Sequence, residues 1–425
     1  MLDINYIRAE PEKIKAGIAK KNSDPKIVDK FLRVDEEWRV KTLALDQLKA
    51  EQNILNKELA GHQSEDLLSK AQLLKKRVTD IAEEQVKLKE KREELLYSFP
   101  NIPFENAPVG KDESENKVLR EVGEKPEFSF EPKDYLTIGE TLGIIDVKKA
   151  SEVSGSRFGY LLGDGAMLEL ALVQYAFQVI TKYGFTPIIP PVMIKPEVYK
   201  GMGRLDANQK DERYFLEKDN LYLVGSSEHT IGPFHMGETF EEENLPKRYV
   251  GFSTCFRKEA GSYGKDTKGI LRVHQFDKVE MFTFSHPERS EEEHQLLLKI
   301  QEELVSGLGL PYRVVEMCTG DMGWTDAKQF DIETWMPGQK TYRETNSCSN
   351  TTDFQSRGMN TKYKISASTK GNKAKTELIH FLNATGIAIG RTIIAIVENY
   401  QTEEGTVKIP TALQKFMGKK EIKPR

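Results

Sequence analysis

Cysteine is scarce in this chain: Cys255, Cys318 and Cys348 are the whole complement in 425 residues, an odd number with no CxxC pair. That excludes a disulfide scaffold, and it predicts reduced, buried thiols in a cytoplasmic protein. No HExxH string occurs and the seven histidines do not cluster at metal-ligand spacing, which argues against a zinc site built by the chain. Neither a GxGxxG string nor GxxxxGK followed by Ser or Thr is present, so a bound nucleotide is held by neither a dinucleotide fingerprint nor a P-loop. No apolar run approaches the roughly 18 residues of a membrane span. The opening segment MLDINYIRAEPEKIK also lacks the apolar core of a secretion signal, so no membrane association is expected. Neither sign of charge prevails: 62 Lys plus Arg face 66 Asp plus Glu, a net charge of -4, and any RNA-binding surface must be a local patch.

What is present falls into two regions. From about Pro25 to Phe99 the only glycine is Gly61, and Lys, Glu, Leu, Gln and Asp dominate, as in helices. Phe31, Val34, Trp38, Lys41, Leu45, Leu48, Gln52, Leu55 and Leu59 follow the 3-4 spacing of a coiled-coil seam. Leu67, Ala71, Leu74, Val78, Ile81, Gln85, Leu88, Arg92, Leu95 and Phe99 repeat it, with Gly61-His62-Gln63-Ser64 as the break. These spacings predict an antiparallel helical hairpin. Gln52 and Arg92, polar at seam positions, read as register-fixing residues. From Asn22 to Phe99 there are 15 basic and 16 acidic residues, so the hairpin is not a basic stripe by composition. A solvated dimerising coiled coil and a rigid arm carrying binding residues both fit.

Pro100 to Pro103 and the polar stretch Gly110 to Glu127 read as a linker. Beyond it, short β-branched and aromatic runs at Tyr249 to Phe252, Lys278 to Phe284 and Pro311 to Glu316 read as strands too closely spaced for intervening helices. Helices are expected at Met167 to Tyr183, Ser290 to Leu308 and Arg391 to Tyr400, which makes this region α+β with a mainly antiparallel sheet.

Three clusters carry candidate chemistry. Phe256-Arg257-Lys258-Glu259 and the run Leu271 to Glu280 flank the glycine-punctuated loop AGSYGKDTKG. On extended strands, residues two or four apart share a face, which would gather Arg272, Phe276 and Glu280 on one strand and Arg257 with Glu259 on its partner. An aromatic beside an arginine and carboxylates suits a purine, a polyphosphate and an ammonium group; a salt-bridged solvent face would read the same way. Thr341 to Gln355 places Glu344 among hydroxyl and amide oxygens able to hold Mg²⁺, or forms an ordinary polar loop. Leu382 to Arg391 is a glycine-rich strand running into an apolar helix, with a cation at the helix start.

In this order and at these separations the clusters resemble the motifs of class II aminoacyl-tRNA synthetases: Gly184 to Val192, with Pro191, as motif 1; Phe256 to Glu280 as motif 2; Gly386 to Arg391 as motif 3. Together with the hairpin and the strings CTGDMGW, YRETNSCSNTTDFQ and LNATGIAIGRT, the whole chain resembles the seryl-tRNA synthetase family. The resemblance implies an N-terminal tRNA-binding domain with a coiled-coil arm over residues 1–108. A class II catalytic domain over 109–425 would follow, with a six- to seven-stranded antiparallel sheet flanked by helices. It also implies a homodimer through motif 1, activation of L-serine with ATP to seryl-adenylate, and transfer to tRNA(Ser), with tRNA(Sec) as a further acceptor. Arg257, Glu280 and Arg391 are its catalytic residues. Serine falls to Ser226, Ser227 and Glu228 at the ammonium group, Glu280 and Thr385 at the hydroxyl, and Arg257 at the carboxylate. ATP falls to Arg257, Lys258, Glu259, Arg272, Phe276, Glu344, Thr345, Asn346, Ser347 and Arg391, and Mg²⁺ to Glu344 and Ser347. The family usually carries Thr at Ser226 and Asn-Gly-Ser at Asn383-Ala384-Thr385; both departures keep a hydroxyl. A noncatalytic tRNA-binding paralogue and a carrier-protein ligase are the alternatives.

Overall fold

The computed structural model describes residues 1–62, 64–205, 210–260, 268–365 and 375–424. They form two compact units, Met1–Pro100 and Asn101–Arg425. In the first, α1 (Ile4–Ala9) and α2 (Pro11–Ala19) precede two long helices, α3 (Lys26–Gly61) and α4 (Glu65–Tyr97). At 1.5 Å per residue α3 is about 54 Å long. Ser64 caps α4 by accepting from the Leu67 amide, so the expected break is a helix start in structure as well as in sequence; Gln63 lies outside the described residues. The seam is real but graded. Of its positions Phe31, Val34, Leu45, Leu48, Leu74 and Phe99 are buried, with Leu96 buried beside the half-buried Leu95, and no described residue from 49 to 73 is, so the apolar grip lies in the half away from the turn. Arg92 does set register: its Nε donates to Asp35 at 2.7 Å, and Gln85 donates to Thr42 at 3.2 Å further along. As one helix's numbers rise the other's fall, which makes the pair antiparallel.

The second unit is built on an eight-stranded sheet. Its strands are β1 (Lys117–Val122), β2 (Thr186–Ile188), β3 (Lys247–Phe256), β4 (Gln275–Ser285), β5 (Tyr312–Glu316), β6 (Lys328–Met336), β7 (Thr341–Asn350) and β8 (His380–Ala388). They lie in the order β1-β5-β6-β7-β8-β4-β3-β2, antiparallel throughout except for the edge pair β2 and β3. The sheet is one strand larger than the six to seven expected. The stretch from Gly110 to Glu127 is not wholly a linker either, since 117–122 pairs with Tyr312–Glu316. β1 reads as polar because it is an edge strand with almost every residue exposed. Helices α5 (Asp164–Ile180), α6 (Ser290–Gly307) and α7 (Ile389–Asn399) fall where expected within a few residues, and their apolar faces share one large core with Val279, Met281, Leu382 and Ala384. On β4 the residues of the other parity, Phe282 and Phe284, join Phe381, Met202 and Ile231 in a second core. With both faces covered, β4 is buried continuously from Lys278 to Ser285 and shows no alternation.

Candidate active site

The face of β4 that carries Phe282 and Phe284 turns polar toward the strand's start. Phe276 and Lys278 line a recess there, and Glu280, 1% exposed, is buried against the wall residues Lys278 and Thr385. Lys278 Nζ stands 2.6 Å from Glu280 Oε2, which also accepts from Thr385 Oγ1 at 3.4 Å. Burial pushes Glu280 up to about 7 against the pull of Lys278, with the nearby Glu228 charge adding to the rise. Thr385 faces Glu280 because the pairing slips: Val279 sits opposite Ile387 and Glu280 opposite Thr385, leaving Gly386 as the extra residue. A Cβ at Gly386 would come within 3.0 Å of Ile180 Cδ1 and 3.3 Å of Val279, so any larger residue at the bulge would have to push these neighbours aside.

Glu228 enters from the short helix Glu228–Ile231 and is 5% exposed. Its Oε1 is held by Arg204 Nη2 at 2.6 Å and His229 Nε2 at 3.2 Å. His229 Nδ1 accepts from the Gly225 amide at 3.2 Å and contacts the Tyr199 hydroxyl at 3.0 Å, so the ring proton belongs on Nε2 and is donated to Glu228. Burial drives His229 down to about 3, keeping it neutral. Burial opposes the Glu228 charge too, but Arg204 and His229 outweigh it and hold the carboxyl well below its usual range. The result is a buried, ionised carboxylate facing the recess, its second oxygen available to a cation.

The recess has two ends. The larger, about 460 Å³, includes Arg204, Arg213, Ser226, Glu228, His229 and Asn383 in its wall. The smaller, about 210 Å³, has Phe276, Glu344, Thr345, Thr385 and Arg391. Arg257, Glu259, Arg272, Lys278 and Ser347 line both and join them. Arg257 lies just past β3, its Nε donating to Gly225 O at 3.2 Å and its guanidinium 5.1 Å from the centre of the Phe276 ring. Glu259 adopts φ +52°, a conformation costly for a non-glycine residue, and stands 3.7 Å from Arg272. Arg272 precedes β4 rather than lying on it, yet reaches the recess as expected. Arg391 Nη1 stands 3.0 Å from Glu344 Oε2 and donates to Glu344 O at 2.9 Å, and its charge pulls the Glu344 carboxyl down. Glu344 and Ser347 are three apart and on a regular strand would face opposite ways. A slip between Ile332 and Glu333 adds a residue to β7 and brings both to the same recess.

Twelve of the expected site residues therefore meet: Ser226, Glu228, Arg257, Glu259, Arg272, Phe276, Glu280, Glu344, Thr345, Ser347, Thr385 and Arg391. Three stand elsewhere. Ser227 is fully buried, Lys258 lies over Tyr214 at 5.8 Å, and Asn346 donates to Thr385 O and Gly386 O, tying β7 to the bulge. The glycine-punctuated loop AGSYGKDTKG lies outside the described residues over 261–267. Reading the sequence missed Arg204, His229 and Lys278. Lys278 was open to discovery, two residues from Glu280 on one strand face; Arg204 and His229 reach the site only through tertiary packing.

Two family models cover most of the chain: the seryl-tRNA synthetase N-terminal domain matches residues 1–103, and the class II synthetase core domain (G, H, P, S and T) matches residues 214–400. A serine–tRNA ligase of Corynebacterium efficiens is 42% identical over the full length of both chains. The chain belongs to the seryl-tRNA synthetase family. Solved seryl-tRNA synthetases share its fold throughout: one from Pyrococcus horikoshii, complexed with ATP, aligns over 100% of both chains with TM-score 0.90 and 40% identity. The cytoplasmic enzyme of Naegleria fowleri, complexed with AMP, covers 100% of this chain and 99% of its own with TM-score 0.86 and 36% identity. Against the seryl-tRNA synthetase pattern, the departures at Ser226 and Thr385 both leave a hydroxyl-bearing residue in the recess wall.

Proposed function

We propose that the chain activates L-serine with ATP, releasing pyrophosphate and forming seryl-adenylate, and passes the seryl group to the terminal ribose of tRNA(Ser), and of tRNA(Sec) by the same acceptor chemistry. The observation that carries this reading is the polarity of one recess: a buried ionised carboxylate and a Glu280–Thr385 pair at one end, and guanidinium groups around an aromatic ring at the other. Glu228 takes the substrate ammonium, with Ser226 beside it. Glu280 takes the hydroxyl on the oxygen that Lys278 and Thr385 leave open. A site that hydrogen-bonds a hydroxyl rejects alanine because its own buried groups are then left unpaired.

At the other end adenine stacks on Phe276, with Glu259 near its exocyclic amine, and Arg391 and Arg272 receive the phosphates. Arg257, lining both ends, meets the serine carboxylate and the α-phosphate. The carboxylate is already a nucleophile, so attack on phosphorus with pyrophosphate leaving needs alignment and charge neutralisation rather than a general base. No group of three or more His, Cys, Asp or Glu among the described residues is arranged to hold a metal. Glu344 and Ser347 offer two oxygen donors, which suits Mg²⁺ carried largely by phosphates and water and supplying charge neutralisation there.

We read residues 1–108 as the tRNA-binding domain and 109–425 as the catalytic domain, in a cytoplasmic protein whose three cysteines are free and buried. We also read the protein as a homodimer: Met167 and Leu170 on one face of α5, with Ile189 in motif 1 and Met193 one residue past it, are large apolar side chains left exposed. Sedimentation should give twice the chain mass; a monomer at micromolar concentration would remove that assignment. For the activity itself the test is ATP–pyrophosphate exchange with serine, threonine, alanine and glycine side by side. Serine-only exchange supports the reading, and exchange with none of the four overturns it.

A further inference from the structure

Arg213 stands in the wall of the larger recess end and is not used by any role assigned above. It is 9% exposed, and its Nε is buried without a hydrogen-bond partner. Among the described residues Arg204 pairs with Glu228 at 2.6 Å and Lys278 with Glu280 at 2.6 Å, whereas Arg213 has no ion pair and lies 5.7 Å over the Tyr199 ring. Leaving a guanidinium unmatched in such a place is costly unless an anion arrives. The chain also makes room for it. A Cβ on Gly225 would come within 2.8 Å of Arg213 Nη1, so glycine at 225 lets the guanidinium lie against that backbone, while Arg257 Nε bonds the same residue's carbonyl oxygen at 3.2 Å. Its own segment is pinned on both sides: Glu212 O accepts from the Lys258 amide at 3.0 Å and Tyr214 O from the Leu223 amide at 3.0 Å.

We propose that Arg213 is a substrate-binding residue that takes the carboxylate of the bound amino acid, sharing it with Arg257. The assignment rests on the serine-activation reading above. The carboxylate is favoured over phosphate because Arg213 lines the end with Ser226 and Glu228 and not the end with Phe276, Glu344 and Arg391. Two guanidiniums can grip one carboxylate from both sides. Burial, together with the nearby Arg257 and Arg204 charges, lowers the Arg213 pKa, a strain that an incoming anion relieves.

The test is pyrophosphate exchange by the full chain and by R213M and R213K, with L-serinamide, which lacks the carboxylate, as a competitive inhibitor of serine. R213M should raise the KM for serine about tenfold or more, leave the KM for ATP within about twofold, and leave the inhibition constant of L-serinamide unchanged; R213K should restore part of the loss. G225A, which displaces the guanidinium without removing it, should raise the serine KM as well, and G225A/R213M should be no worse than R213M. Parallel loss of serine and L-serinamide binding would mean a structural role and overturn the proposal. An effect confined to ATP or to tRNA transfer, or no effect, would also overturn it. Absence of serine exchange in the unmodified chain would instead overturn the reading of the activity.

Discussion

At the scale of single residues, the site works by keeping charges where water would normally neutralise their effect. Glu228 stays ionised because Arg204 and His229 hold one of its oxygens, while Glu280, 1% exposed and equally close to a cation, is pushed up to about 7. On the proposed reading the two carboxyls thus divide the labour of ammonium and hydroxyl recognition. As Lys278 and Thr385 both donate to Glu280, its ionised form is the competent one. Below about pH 7 that form is lost, so kcat/KM for serine should fall on the acid side with an apparent pKa near 7, and E280Q should be much less active and lack that acid limb. A pH profile unchanged by E280Q would assign the ionisation elsewhere. Arg257 touches both ends of the recess and Phe276 beside it. Its replacement by Ala should cut pyrophosphate exchange about 10³-fold while the circular dichroism spectrum stays that of the parent. Such residues differ in how far they can be read from the sequence. Phe276 and Glu280 follow from strand parity, and Lys278 would have too. Glu344 beside Ser347, and Thr385 opposite Glu280, depend on slips in strand pairing that no spacing rule for one strand contains.

At the scale of elements, the hairpin illustrates what periodicity reveals and what it hides. The 3-4 spacing locates both helices and their antiparallel return, and it flags Arg92. It does not flag Asp35, which lies one residue from the seam position Val34. Yet Asp35 accepts from Arg8 Nε and Nη2 at 2.8 Å each and from Arg92 Nε at 2.7 Å, joining α1, α3 and α4. Burial works against its charge, but Arg8 and Arg92 lower its pKa. A depressed carboxylate stabilises the fold above its unfolded-state pKa, and that contribution is lost as pH falls through the folded value, here below the usual aspartate range near 4. Asp35→Ala leaves the guanidiniums unmatched and should destabilise the N-terminal unit by about 3 kcal/mol at neutral pH, with a smaller loss at pH 3. Hydrogen exchange across α3 and α4 reads this directly; equal protection in parent and variant at pH 7 would deny Asp35 its role. The edge strand β1 went unrecognised for the opposite reason. Its side chains point to solvent, and only its backbone partner reveals it.

At the scale of the whole molecule, the chain forms two compact units, and the proposed function gives them two tasks, activation in one and tRNA recognition by the helical hairpin in the other. The division predicts that they separate. A chain in which Val34 to Leu95 is replaced by a short linker should retain serine-dependent pyrophosphate exchange within about threefold, since adenylate formation uses only the recess. Its charging of tRNA should be lost. Full-rate charging by the shortened chain would remove the arm from the account. The most direct measurement is esterification of radiolabelled serine to unfractionated tRNA by the full chain with ATP and Mg²⁺. The account predicts an alkali-labile seryl product on tRNA, absent with alanine or threonine. Pyrophosphate exchange with no label on tRNA would contradict it and point to a carrier-protein ligase instead.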